Sequence, residues 1–89
     1  MIEKRIKELL THKSMTYDDL ARKTEIGYSR WKNALNGRSK IRWEEIDAIC
    51  ELFPDFEYWI TRNKTAPEIG QINPEIEETA KNYKKAGGD

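Results

Sequence analysis

Apolar residues recur at helical spacing along most of this chain, and no stretch alternates cleanly enough to predict a strand. Ile2, Ile6, Leu9 and Leu10 fall at i, i+4, i+7 and i+8, which predicts an amphipathic helix over residues 2–12, closed by Lys13-Ser14. His12, in its last turn, suits the negative end of the helix dipole and reads as a cap or surface residue. Thr16-Tyr17-Asp18-Asp19 has the form of a capping box, with Asp19 where Glu is usual, so a second helix opens at Thr16 and ends near Thr24. Leu20, Ala21 and Thr24 share its inner face. Glu25-Ile26-Gly27 is a tight connection in which Gly27 is expected to supply backbone freedom.

A third helix is predicted from Tyr28 to Leu35, with Trp31, Ala34 and Leu35 inward, and Asn36-Gly37 as its left-handed stop. Arg38-Ser39-Lys40-Ile41-Arg42 is a basic loop. Ile46, Ile49, Cys50 and Phe53 predict a fourth helix from Trp43 to Phe53, with Glu44 and Glu45 in its first turn and Cys50 as a small core residue. After Pro54, Phe56, Trp59 and Ile60 mark a short core-closing helix over residues 55–61. Arg62 to Asn73 reads as a linker or extended arm. Ile76, Ala80 and Tyr83 give a thin stripe to a last helix over residues 74–84, which must pack on this domain or on a second chain. The end, Ala86-Gly87-Gly88-Asp89, is expected to fray. The predicted class is therefore all-α: a five-helix domain over residues 1–61, a linker over 62–73, and an extension over 74–89 patterned as a sixth helix.

Charge sharpens this picture. The formal net charge is zero, but residues 1–43 hold eleven Lys/Arg against five Asp/Glu, and residues 44–89 hold five against eleven. Such asymmetry points to a polyanionic partner for the first half. Cys50 is the lone cysteine, so no intrachain disulfide is expected. No apolar run approaches the roughly 18 residues of a membrane span, and Met1-Ile2-Glu3-Lys4-Arg5 does not open a signal peptide, so a cytoplasmic location is expected. Three classes of chemistry are missing from the pattern. One His and one Cys form no ligand-spaced cluster, so no metal and no cofactor is expected. The carboxylates of Glu44 and Glu45 point about 100° apart on a helix and cannot face each other as an acid–base pair. The glycines form no phosphate-cradling loop. An enzyme is not expected.

The informative stretch is Thr16 to Arg42: a capped helix, a tight turn, a second short helix with a defined stop, and a basic loop. That order is the helix-turn-helix pattern, whose second helix enters the major groove of duplex DNA. With Trp31, Ala34 and Leu35 inward, the third helix turns Tyr28, Ser29, Lys32 and Asn33 outward. Asn33 suits a bidentate pair with adenine, Lys32 suits guanine O6 or N7, and Ser29 suits either kind of pair. Tyr28 can offer its hydroxyl to a phosphate or its ring to a thymine methyl. Arg30, Arg38, Lys40 and Arg42 flank the row and can hold phosphates.

These residues resemble the lambda-repressor-like domains, also called Cro/CI or XRE-type. The resemblance rests on Leu20-Ala21 in the capped helix, the turn ending at Gly27, and Asn36-Gly37 followed by Arg38 and Lys40. Ile46, Ile49, Cys50 and Phe53, then Phe56 and Trp59, are similar to the family's fourth and fifth helices. It spans roughly residues 2–61. It implies a five-helix domain that binds a near-symmetric operator as a homodimer, with base contacts from Tyr28, Ser29, Lys32 and Asn33 and phosphate contacts near Tyr17, Arg38 and Lys40. Tyr17 stands where Gln is common, and Trp31 where a smaller aliphatic is usual, which implies a third helix set further from the second. The dimer surface is expected on the fifth helix, with Tyr58 and Trp59, or on the helix over residues 74–84. The competing reading is a protein-interaction module on the same fold, such as an antitoxin-like or phage regulatory partner subunit, binding another protein through the acidic C-terminal half.

Overall fold

Side-chain hydrogen bonds mark three of the helix starts, at Thr16, Arg42 and Asn73, and the others begin without one. The computed structural model describes residues 1–86, with side chains through Asn82. Residues 87–89, in the expected frayed end, lie outside the described residues, as does the side chain of Tyr83. The described residues form six α-helices: α1 (Ile2–His12), α2 (Tyr17–Lys23), α3 (Tyr28–Leu35), α4 (Trp43–Leu52), α5 (Glu57–Arg62) and α6 (Pro74–Ala86). A 3-10 turn at Pro54–Phe56 precedes α5, so the predicted fifth helix is split in two, proline fixing the tighter first turn.

The capping box of α2 is complete. Thr16 N–H donates to Asp19 Oδ2 at 2.9 Å, and Asp19 N–H donates to Thr16 Oγ1 at 3.1 Å. These backbone and hydroxyl bonds from Thr16, helped by the Arg22 guanidinium, hold the Asp19 carboxyl below its usual range. At the end of α3, Arg38 N–H donates to Asn33 O at 2.9 Å across Gly37, whose φ of +78° favours glycine. Gly27 is different. Its φ is −73° and a side chain there would meet nothing within 4 Å, so it serves as the N-cap of α3 in ordinary extended backbone and supplies no special conformation.

The core gathers Ile6, Leu9 and Leu10 of α1, Leu20 of α2, Trp31 and Leu35 of α3, Ile49 and Cys50 of α4, and Phe56, Trp59 and Ile60. Trp59, expected on a dimer surface, is in this core at 6% exposure because α5 turns its indole inward. Ile46 and Phe53 are only half-buried. Arg5 closes the far end: its Nε and Nη2 donate to Ile60 O at 3.0 and 2.8 Å, tying α1 to the last turn of α5.

The segment after α5 is held to the domain. Ala66 and Gln71 exchange backbone hydrogen bonds around a 3-10 turn at Pro67–Ile69. Gln71 Nε2 donates to Pro54 O, and its Oε1 accepts from Tyr58 N–H, both at 3.0 Å. Ile72 N–H donates to Asp55 O at 2.9 Å, and its side chain packs against the core. Asn73 then caps α6 by accepting from Ile76 N–H at 2.8 Å, with Pro74 buried at the first helical position.

His12 is neither a cap nor a free surface group. Its Nε2 is 2.6 Å from Glu77 Oε1, and Lys13 Nζ donates to the same oxygen at 2.9 Å while lying 5.0 Å from the Phe56 ring centre. Burial alone would raise the Glu77 carboxyl, but the bonds from Lys13 and His12 outweigh it and hold it below its ordinary value. A carboxyl depressed in the folded state stabilises fully above its unfolded pKa, and that contribution is lost as pH falls through the folded pKa. Acidification through and below the ordinary Glu value of 4.5 is therefore expected to loosen α6 from α1. Amide exchange of residues 74–82 should rise at acid pH in the natural chain. In Glu77→Gln it should be raised already at neutral pH and respond less to acid; an identical acid response in both chains would contradict this.

Candidate nucleic-acid interface

Trp31 decides how α3 presents its other side. The indole is fully buried, and its Nε1 donates to Thr24 Oγ1 at 3.1 Å while Thr24 donates onward to Leu20 O at 2.6 Å. The bulkier residue is thus accommodated by a threonine at the C-cap of α2, and α2 and α3 are joined through one hydroxyl. With Trp31, Ala34 and Leu35 buried, Tyr28, Ser29 and Lys32 are exposed and Asn33 is half-buried on the opposite side. Tyr17, half-buried at the start of α2, meets the Tyr28 ring edge-to-face with centroids 6.0 Å apart. The two helix starts differ: that of α2 is occupied by its own capping box, whereas α3 begins at Gly27 with no side-chain cap and no acidic residue in its first turn. The orphan N–H groups there are open to an anion.

Beyond Gly37 the basic loop keeps Arg38, Lys40 and Arg42 exposed, while Ile41 is half-buried against the core and pins the loop. None of these three cations is in an ion pair among the described residues. Arg30 is placed differently. It leans toward α4, with Nη2 at 2.9 Å from Glu45 Oε2. The Glu45 carboxylate is fully buried, while the Arg30 side chain keeps 37% of its surface. Glu45 Oε1 accepts from Arg42 N–H at 2.9 Å, capping α4 from its third residue. Oε2 accepts no well-aligned hydrogen bond, so the ion pair is its main compensation. One carboxylate thus holds the outward helix and the end of the basic loop to α4. From the sequence Glu45 is only an acid in the first turn of α4; its spacing three residues after Arg42 is the signal for this cap.

The profile of the Cro/C1-type HTH DNA-binding domain matches residues 5–53, from α1 to the end of α4. The chain belongs to this Cro/C1-type family. Among solved structures, this Cro/C1-type chain is similar to Pf6r from the filamentous phage Pf6 of Pseudomonas aeruginosa PA01. The two share 30% identity over 92% of this chain and 95% of that one, with a TM-score of 0.78. That coverage runs past residue 53, so the likeness includes part of the chain beyond the family match. No curated protein matches the chain. The Cro/C1-type membership confirms the all-α helix-turn-helix class read from Thr16 to Arg42, and makes α2 and α3 the helix-turn-helix pair.

The Arg30–Glu45 pair has an asymmetric weakness. Removing one partner of a fully buried pair costs roughly 3–5 kcal/mol. Here the guanidinium reaches water and the carboxylate does not. Arg30→Met, which strands the carboxylate, should therefore destabilise by about 2–4 kcal/mol, and Glu45→Gln, which leaves a hydrated guanidinium, by about 1–2 kcal/mol. Urea unfolding of both variants checks the order; a larger loss in Glu45→Gln, whose amide oxygen can still accept from Arg42 N–H, would contradict this assignment.

Proposed function

We propose that the chain is a small sequence-specific transcriptional regulator, repressor-like and of phage type, that reads duplex DNA with α3. The outward row on α3 carries this reading, because Trp31 and Leu35 fix its direction from behind. Tyr28, Ser29, Lys32 and Asn33 meet base edges in the major groove. Tyr17, Arg38, Lys40 and Arg42 hold phosphates on either side, with Arg30 braced by Glu45 beside them. Residues 1–61 act as the DNA-binding domain, the stretch over 62–73 connects it, and residues 74–89 are an extension.

One recognition helix buries too little for tight specificity, so two copies are proposed to bind a near-palindromic operator. Tyr58 and Ile69, exposed at 37% and 74% on α5 and the turn after it, offer apolar surface for the pair. The function is binding without turnover. Burial, and then the charges of Glu57 and Asp47, push the Cys50 thiol up to about 11, which leaves it an inert core group. No helix of the described residues is long and apolar enough to cross a membrane. The proposed place of action is the cytoplasm, on the nucleoid. The likeness to a filamentous-phage protein supports the phage-type reading.

Selection of bound sites from random duplex DNA tests specificity and symmetry together. A recovered motif of two inverted half-sites about one helical turn, 10–10.5 base pairs, apart is expected; recovery of no motif would overturn the reading. Asn33→Ala should flatten preference at one position of each half-site by about 1–3 kcal/mol, while Arg38→Ala should weaken all sequences alike. If Asn33→Ala leaves preference untouched, the orientation of α3 on DNA is not the one proposed. Arg38, Lys40 and Arg42 from two copies would release about six counterions, giving a log–log salt slope of about −5. A flat response between low and physiological salt would rule out the phosphate contacts.

A further inference from the structure

An open groove of about 620 Å³ runs between the end of α2, the turn after it, and α4. Its floor is apolar, formed by the half-buried Ile26, Ala48 and Leu52. Trp43 stands at its edge with 71% of its surface exposed, whereas Trp31 and Trp59 are buried at 0% and 6%. Around the rim lie Glu25, Glu44, Asp47 and Glu51, all exposed and none in an ion pair among the described residues; Lys23 is the one cation of the lining. Four carboxylates against one ammonium make this surface hostile to a phosphate backbone, so it is not an extension of the DNA face. Nothing in the DNA reading uses Trp43 or these acids.

We propose that this groove docks a basic segment of a partner protein, one that places an apolar side chain beside Trp43 and Lys or Arg side chains against the rim. An exposed tryptophan at the edge of an apolar floor has the make-up of an interface anchor, and unpaired carboxylates around it select cations and repel acidic surfaces. The groove is open to solvent, which suits a peptide segment better than an enclosed small molecule. Charge complementarity also argues against the chain's own acidic α6 as the occupant, since Glu75, Glu77 and Glu78 lie in its first turns.

The probe is a short helical peptide of Lys and Leu, titrated calorimetrically into the full chain, with a Glu/Leu peptide of the same pattern as control. Saturable one-to-one binding of the Lys/Leu peptide alone is expected. Asp47→Asn/Glu51→Gln and Trp43→Ser should each weaken it at least about tenfold. The paired charge variant should keep its melting temperature and its affinity for duplex DNA, because all of its changed atoms face solvent away from α3. Equal binding of the Glu/Leu peptide, or full affinity in both variants, would overturn the proposal. So would self-association of the free chain, seen by sedimentation, that Trp43→Ser abolishes, because the groove would then belong to a second copy.

Discussion

An eight-residue helix has too few internal hydrogen bonds to hold itself together in water, so α3 exists because Trp31 is buried beneath it. The indole is fully buried in the core cluster, and its N–H has one outlet, the hydroxyl of Thr24. An unpaired N–H at that depth would cost about 1–3 kcal/mol, so the hydrogen bond restricts which way the ring can lie. Fixing the ring fixes the rotation of α3 about its axis. That rotation sets which residues face outward: Tyr28, Ser29 and Lys32 emerge because their positions around the helix axis lie outside the buried row.

Rotation alone does not set the height of α3 above the rest of the domain. The buried Glu45 carboxylate does, by pairing with Arg30 on α3 and capping α4 through Arg42 N–H. A charge taken wholly out of water is a poor source of net stability. Its effect here is geometric. Arg30 on α3 and Arg42 at the end of the basic loop are held by the two oxygens of one carboxylate, which ties helix and loop to α4. Ile41 adds a third constraint by packing the middle of that loop against the core. Preorganised cations lose less side-chain freedom on meeting a phosphate lattice than cations on a free loop would.

Much of this was legible in the sequence because it follows from local rules. The limits of α1 and α3, the capping box at Thr16 and the stop at Gly37 depend on residues within one or two turns of each other, and periodicity or cap chemistry reports them. The misreadings share the opposite property. Glu45 was legible only as an acid in the first turn of its helix because its partner, Arg30, is fifteen positions away on another helix, and Arg30 in turn looked like a free cation. His12 looked like a terminal cap because Glu77 lies 65 positions along the chain. The stretch after α5 read as a linker or extended arm, and the bonds by which Gln71 and Ile72 reach back to Pro54 and Asp55 had no signal there, because amide side chains carry no periodic pattern. Gly27 was credited with a conformational role from its residue type, whereas its backbone is ordinary.

The charge division between the two halves of the chain points the right way but overstates the field. Of the cations in the first half, Arg5 is used on Ile60 O, Lys13 on Glu77, Arg22 on Asp19 and Arg30 on Glu45. Lys4, Lys7, Lys23, Lys32, Arg38, Lys40 and Arg42 remain outside ion pairs among the described residues, and Lys32 lies on α3 with Arg38, Lys40 and Arg42 in the loop after it. The acidic half is thinned in the same way: Glu45 and Glu77 are used inward, and Glu44, Asp47 and Glu51 remain on the outer side of α4. Internal pairing thus removes some of the charges that would blur the two surfaces and leaves each with one sign predominant, Lys23 being the exception in the groove. Within a Debye length of about 8 Å at physiological salt, a surface responds to these residual charges and not to the net charge of zero. A chain with no overall charge can therefore present a cationic face to DNA and an anionic groove elsewhere, and attract two opposite partners at once.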